Sequence, residues 1–141
     1  RKKPEVMEKV FWKLGDQILK YMELVKEYGG DLISYADSSG GVNILGPKMM
    51  EAVTVNFTYP FLKKVEQLAD DKTMILLCPK TTLALIGTEK AKFLDHQLEE
   101  PIGYAQACIH MIGKAHFAGQ MCIKNVGYQL NHGIFKEVKL L

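Results

Sequence analysis

The stretch "DLISYADSSGG" (residues 31–41) decides how the fold is to be interpreted. Its first seven residues predict a short buried strand, which ends at an acid followed by serines and glycines. Glycines let backbone N–H groups approach a ligand, and serine hydroxyls donate hydrogen bonds to carboxylates or phosphates. The same residues also fit an ordinary turn in which Asp and Ser bond their own backbone. The candidate site residues in this loop are Asp37, Ser38, Ser39, Gly40 and Gly41.

The segments on either side of this stretch alternate between helical and strand patterns. A helix is predicted over residues 4–28, strands over 73–78 and 91–97, and further helices after Pro47 and near Pro101. Elements that alternate at this spacing form right-handed βαβ units around a parallel sheet. We therefore predict one α/β domain over residues 1–141, either a small open parallel sheet or about half of a (β/α)₈ TIM barrel. In both, ligands bind at the carboxyl ends of the strands.

Three further features refine this prediction. Pro60 lies inside a helical pattern and is expected to kink or split that helix near Tyr59. The tail over residues 133–141 fits either an edge strand or the first turns of a helix. The first helix carries an apolar stripe, which predicts one buried face and consists of Met7, Val10, Phe11, Leu14, Ile18, Tyr21, Met22 and Val25.

The composition limits the classes of protein to which this chain could belong. Hydrophobic residues make up 48% and charged residues 24%, which is typical of a globular domain. A net charge of +2 gives no indication of nucleic-acid binding, and no apolar run is long enough to cross a membrane. Three widely spaced cysteines argue against a disulfide framework and favour a reducing, cytoplasmic location. The sequence contains no phosphate loop and none of the common hydrolase or zinc-protease motifs.

Two cysteines and an Asp–His pair lie at the ends of predicted strands. A thiolate at Cys78 could bind zinc or attack an electrophile, and Cys122 could join it across neighbouring strand ends. Free cysteines are also commonly buried as small apolar residues. His96 could act as an acid, a base or a metal ligand beside Asp95, or both side chains could simply be solvated.

The order of these motifs resembles the uroporphyrinogen decarboxylase superfamily, which includes cobamide-dependent methyltransferases. The resemblance is carried by "YMELVKEYGGDLISYADSSGGVNILGPKMMEAVTVNFTYPFLKKV" (residues 21–65), with Gly30-Asp31, Asp37, Gly46-Pro47 and Tyr59-Pro60 at the family's motif positions. "MILLCPKTT", "AKFLDHQLEE" and "HFAGQMCIKN" resemble the strands that follow. The family fold is a TIM barrel about twice as long as this chain. The resemblance therefore implies that residues 1–141 are the C-terminal part of a larger enzyme, inactive by themselves.

The methyltransferase branch of this superfamily binds zinc through a His-x-Cys motif and a later Cys, and the metal activates the acceptor thiol. Cys78 matches the first Cys of that pattern, although Leu76 stands where the His is expected. Cys122 is the candidate for the later Cys, and Gln120 in the same segment is expected to bind substrate. The resemblance thus implies that zinc is bound by Cys78 and Cys122. From their residue types and positions at strand ends, Asp37, Asp95 and His96 are the candidate catalytic residues.

The sequence is compatible with three interpretations of function. The favoured one is a methyltransferase that moves a methyl group from a corrinoid, supplied by a partner protein, to a thiol. The alternative is a uroporphyrinogen decarboxylase, which acts on a tetrapyrrole substrate and needs no cofactor. The third is a degenerate domain without catalytic activity. An exposed sheet edge would also allow a homodimer to form.

Overall fold

The computed structural model describes residues 3–37, 41–99, 102–122, 124–125 and 127–141. Helices and strands alternate along most of these residues, as the sequence predicts. The helices are α1 (Pro4–Glu27), α2 (Val42–Leu45), α3 (Pro47–Val53), α4 (Tyr59–Val65), α5 (Pro79–Gly87) and α6 (Tyr104–His110). The strands are β1 (Leu32–Tyr35), β2 (Met74–Leu77), β3 (Ala91–Gln97), β4 (Phe117–Ala118) and β5 (Ile134–Leu140). A π-helical turn covers Thr54–Thr58, and 3₁₀ turns cover Glu66–Leu68 and Asn131–Gly133.

Within the described residues, these strands form one mixed sheet in the order β1-β2-β4-β5-β3. β1, β2 and β4 pair in parallel, whereas β5 pairs antiparallel with both β4 and β3. The prediction of a parallel sheet of βαβ units, as half of a TIM barrel, is therefore wrong. A barrel of that kind requires every neighbouring pair of strands to be parallel. The chain is instead a mixed α/β fold.

The segment before β5 explains why the parallel pattern breaks there. Parallel neighbours need a crossover connection, which is usually an α-helix. The described residues between β4 and β5 contain a 3₁₀ turn but no α-helix, so β5 returns in the opposite direction. It then pairs along its whole length with β3, from Ile134 opposite Gln97 to Leu140 opposite Ala91. The ambiguous tail is thus a strand, although it lies inside the sheet and not at its edge.

Helices cover both faces of the sheet, and each face has its own hydrophobic core. On one face, α1, α4 and α5 pack against the sheet through residues such as Met22, Phe61 and Leu85. On the other face, α6 packs through Tyr104 and Cys108. We call these the α5 face and the α6 face. Because successive strand residues point to opposite faces, alternate residues of each strand enter different cores.

The helix interruption near Pro60 was predicted correctly. α3 ends at Val53, the π-helical turn follows, and α4 begins at Tyr59 with Pro60 in its first turn. Proline has no N–H to donate and its ring collides with the preceding turn of a regular helix. The π-helical turn directly before Tyr59 thus interrupts the regular helix where the proline ring would collide with it.

α1 differs from the single buried stripe that its sequence predicts. Gly15 and Met22 face the core, and Phe11, Trp12, Leu19 and Val25 are partly covered, but the other apolar residues are exposed along the adjoining side of the helix. The exposed set includes Met7, Val10, Leu14, Ile18, Tyr21, Leu24 and Tyr28. In the part of the chain that the structure describes, no helix is both long and apolar enough to cross a membrane.

Candidate functional site

The carboxyl ends of four strands lie side by side at one end of the sheet. The pairing places Ser34, Leu76, Ala118, Glu137 and Leu94 in one row across β1, β2, β4, β5 and β3. Because β5 runs against the other four strands, β1, β2, β4 and β3 all end on the same side of this row. We call this side the C-edge, and the predicted site residues next to it are Asp37, Cys78, Asp95, His96 and Gln120.

The ends of β1 and β2 bring Asp37 and Cys78 to adjacent positions at the C-edge. The Cys78 N–H donates to the Tyr35 carbonyl at 3.1 Å, and the Thr81 hydroxyl donates to the Asp37 carbonyl at 3.3 Å. Burial, assisted by the charge of Asp37, raises the pKa of the Tyr35 hydroxyl to about 12. Asp37 therefore lies close to Tyr35, and its backbone is tied to the first turn of α5.

The loop after Asp37 is described only at its end. The predicted binding residues Ser38, Ser39 and Gly40 lie outside the described residues. Gly41 is buried, and its carbonyl accepts hydrogen bonds from the N–H groups of Ile44 and Leu45. Gly41 thus forms the start of α2.

The best-defined polar contact at the C-edge joins His96 to Glu137. His96 Nε2 lies 2.9 Å from Glu137 Oε2, and the exposed fractions of the two side chains are 27% and 6%. The imidazole also packs against Phe135 with ring centroids 6.3 Å apart, and Phe135 stacks in turn on Tyr104. A buried carboxylate and an aromatic ring therefore fix the orientation of a histidine that solvent can still reach.

Asp95 is not part of this pair. It lies opposite Lys136 in the β3–β5 ladder, and its carboxylate contacts Lys136 Nζ at 2.8 Å. Consecutive strand residues point to opposite faces, so Asp95 and His96 lie on different sides of the sheet. The carboxylate that accompanies His96 comes from β5, not from the adjacent residue.

Gln120 holds β5 against the end of β4. Its amide oxygen accepts the Lys136 N–H at 2.8 Å, and its amide nitrogen donates to the Ile134 carbonyl at 3.3 Å. These bonds continue the ladder beyond the single residue pair between β4 and β5, Ala118 with Glu137. Gln120 therefore positions the strand that carries Glu137, and its expected contact with substrate stays a prediction.

The cysteines do not assemble a zinc site within the described residues. Cys78 is half-buried, Cys108 is buried and Cys122 is exposed. No group of three or more His, Cys, Asp or Glu side chains in this part of the chain could hold a metal ion. Zinc binding by Cys78 and Cys122 therefore stays a prediction, and we derive no step through the metal.

Cys122 and Cys108 lie near Tyr104 on the α6 face. Burial, followed by the neighbouring thiols of Cys108 and Cys122, raises the pKa of the Tyr104 hydroxyl. Burial also raises the pKa of the Cys108 thiol to about 11. Cys108 is therefore a core residue, in agreement with the common behaviour of free cysteines.

Two surface clefts adjoin these elements. A cleft of about 750 Å³ lies between residues 97–99 and α6, and none of the predicted site residues lines it. A groove of about 250 Å³ lies between α2, α3 and α5, close to the loop after Asp37. Its lining combines one cation with mostly apolar side chains and consists of Gly41, Val42, Asn43, Met50, Lys80, Leu83 and Ala84.

Glu137 is the site residue that the sequence prediction missed. Its position in the tail gave no sign of function, because the tail was compatible with both a helix and a strand. If the tail is read as a strand, Phe135 and Glu137 share one face. An acidic residue on the same face as a buried aromatic residue could then have identified Glu137 as a candidate site residue.

The sequence matches no protein-family model, and neither a curated protein nor a solved structure matches it. The resemblance to the uroporphyrinogen decarboxylase superfamily therefore stays a prediction.

Proposed function

We propose that this chain contributes an enzyme active site at the C-edge, where His96 removes a proton from a substrate thiol that then accepts a methyl group. The observation that carries the proposal is the 2.9 Å contact between partly exposed His96 and buried Glu137. It supplies a proton acceptor of fixed orientation at the edge where parallel strands present their ligands.

Glu137 determines which imidazole nitrogen faces the substrate. A buried carboxylate needs a hydrogen-bond donor, and the Nε2–H of a neutral His96 supplies it. Nδ1 is then left without a proton and can accept one. As His96 becomes charged, the Glu137 carboxylate stabilises the imidazolium. A histidine held in this way is suited to act as a general base.

The reaction needs such a base because a thiolate is a much better nucleophile than a thiol. The thiol proton moves to His96 Nδ1, and the sulfur forms a bond to the methyl carbon. The bond between that carbon and cobalt breaks, and its electron pair stays on the corrinoid, which is the methyl-donating substrate. The proton then passes from His96 to solvent, so that atoms and charge balance.

Tetrapyrrole decarboxylation is the alternative, and one observation supports it. Lys80 lines the groove between α2, α3 and α5 and could pair with a substrate carboxylate. A substrate with several carboxylates needs several cations, however. Lys136, the other lysine described at the C-edge, is already paired with Asp95 at 2.8 Å. Methyl transfer is therefore the better supported reaction.

The test measures methyl transfer from methylcob(III)alamin to 2-mercaptoethanesulfonate, with the thioether quantified by mass spectrometry. We expect His96→Asn to lower the rate by about 100-fold, which is typical for the loss of a general base. Glu137→Gln should lower it by about tenfold, because the amide can also donate to the imidazole and allow the wrong tautomer.

His116→Asn is the matched control. His116 also contacts a carboxylate, with Nδ1 3.2 Å from Glu66 Oε1, but it precedes β4 at the opposite edge of the sheet. Its replacement should leave the rate unchanged. A parallel assay with uroporphyrinogen, read by chromatography of its carboxylated products, separates the two reactions. Equal loss in the two histidine variants, or turnover of uroporphyrinogen alone, would overturn the proposal.

A further inference from the structure

The outward side of α1 carries an apolar stripe with the spacing of a coiled coil. Seven positions, three and four residues apart in strict alternation, form it: Met7, Val10, Leu14, Gln17, Tyr21, Leu24 and Tyr28. Six of them are large hydrophobic residues whose exposed fractions run from 46% for Val10 to 88% for Tyr28. We call this set the α1 stripe. A seven-residue apolar repeat matches the facing side of another helix.

We infer that the α1 stripe is the interface of a homodimer in which α1 of one chain packs antiparallel against α1 of a second copy. This inference does not depend on the proposed function. The stripe adjoins the buried face of α1, and its six hydrophobic side chains are exposed to solvent. A second copy of the same helix provides the complementary stripe, and a two-fold axis relates the two surfaces.

The charges beside the stripe select one alignment. Lys13, Lys20 and Glu27 follow one another at seven-residue intervals along one side of it, and they make no ion pair within the described residues. In an antiparallel pair, this side of one helix faces the same side of the other. If Leu14 lies opposite Leu24 of the second copy, Lys13 of each chain faces Glu27 of the other, and these two attractions outweigh the single contact between the two copies of Lys20 at the two-fold axis.

The same alignment also suits the polar residue within the stripe. Gln17 then lies opposite Tyr21 of the second copy, so that an amide and a phenol hydroxyl can bond inside the interface. A shift by one heptad, with Leu14 opposite Gln17 of the second copy, brings Lys13 against Lys20 of the second copy instead. A parallel pair would place these charges against Ile18 and Val25, and would form no ion pair.

The area of the stripe is sufficient for a stable dimer. Each of the six hydrophobic side chains exposes on the order of 100 Å², which gives about 600 Å² per chain before flanking residues such as Ile18 and Val6 are included. Stable interfaces bury about 800 Å² per partner. A helix of this length, roughly 36 Å at 1.5 Å per residue, can provide that area through its stripe and flanks.

The first test is the molar mass of the chain by sedimentation equilibrium between 1 and 100 μM. We expect a dimer, and Leu14→Glu or Leu24→Glu should weaken dimerisation by at least 100-fold. Leu83→Glu on α5 is the matched control, because Leu83 is 65% exposed but lies outside the stripe. A monomer throughout, or a dimer that survives both stripe variants, would overturn the inference.

The alignment is tested by charge exchange. Lys13→Glu should weaken the dimer about tenfold because it opposes Glu27 of the second copy, and the double variant with Glu27→Lys should restore it. A single weak effect without restoration would rule out this alignment. Binding to anionic phosphatidylserine vesicles by a chain that stays monomeric would show that a membrane, not a second copy, covers the stripe.

Discussion

Gly119 lies directly against the Thr82 hydroxyl, so that a Cβ at position 119 would overlap with Oγ1. The same Cβ would also press on Val138 and Leu77 from the neighbouring strands. Gly119 follows the last residue of β4, and Thr82 lies in the second turn of α5. A residue without a side chain is therefore required where α5 packs closest to the end of β4.

Gly119→Ala should lower the free energy of unfolding by about 1–3 kcal/mol, which is the usual cost of overpacking a core. Chemical denaturation measures this change. The double variant with Thr82→Ala removes the overlapping hydroxyl and should recover part of the loss. Gly87→Ala is the control, because a Cβ at position 87 would meet no described atom within 4 Å. Equal destabilisation by both glycine variants would contradict the steric explanation.

Thr82 itself should be replaceable with a gain in stability. Its Oγ1 is buried and has no hydrogen-bond partner within the described residues. An unsatisfied buried hydroxyl costs about 1–3 kcal/mol, so Thr82→Val should raise the free energy of unfolding by about 1 kcal/mol. Thr81→Val is the matched control, because it removes the bond to the Asp37 carbonyl and should not stabilise the chain. A lower melting temperature for Thr82→Val would show that its hydroxyl is satisfied.

The three thiols should react at clearly different rates. Cys122 is exposed, Cys78 is half-buried and Cys108 is buried. Because burial raises the pKa of Cys108 to about 11, almost no thiolate is present there at pH 8. Titration with a chromogenic disulfide should modify Cys122 first and Cys78 more slowly, and Cys108 only after denaturant is added. Rapid loss of all three thiols in the folded chain would contradict this order.

Stability should fall at alkaline pH, partly because of Tyr35. Burial and the charge of Asp37 raise its pKa to about 12, so the folded state disfavours the phenolate. The contribution is complete below the ordinary tyrosine pKa of about 10 and is lost as pH rises towards 12. Its full size is on the order of 2 kcal/mol.

Denaturation curves between pH 9 and 12 should therefore show a weaker pH dependence for Tyr35→Phe than for the unmodified chain. If Tyr35→Phe and the unmodified chain lose stability in parallel, the Tyr35 hydroxyl is not protected by the fold.

Local sequence signals predicted the elements well. Gly29, which has a positive φ of 84°, follows the end of α1, and Pro47 opens α3, as their backbone preferences require. β3 has the predicted bounds. These features depend on interactions between residues that are close in sequence, so their patterns are visible without the fold.

The direction of β5 could not be predicted in the same way. Its pairing with β3 joins residues about 40 positions apart, and the pattern of the tail suits a helix as well as a strand. The sequence did not reveal the partner of His96 for the same reason, because Glu137 contacts His96 only through the pairing of β5 with β3. Likewise, the sequence showed that α1 carries an apolar stripe, but not that only part of this stripe is buried.

The short contact between β4 and β5 divides the sheet into two parts that can open separately. β3 and β5 are joined by seven residue pairs, whereas β5 meets β4 through one pair and the side chain of Gln120. His96 and Glu137 belong to the β3–β5 ribbon, and Asp37 and Cys78 belong to the parallel strands. Backbone amides of the ribbon should exchange hydrogen as one cooperative group, separately from those of β1 and β2. The distance between His96 and Asp37 across the C-edge then changes whenever the contact between β4 and β5 opens.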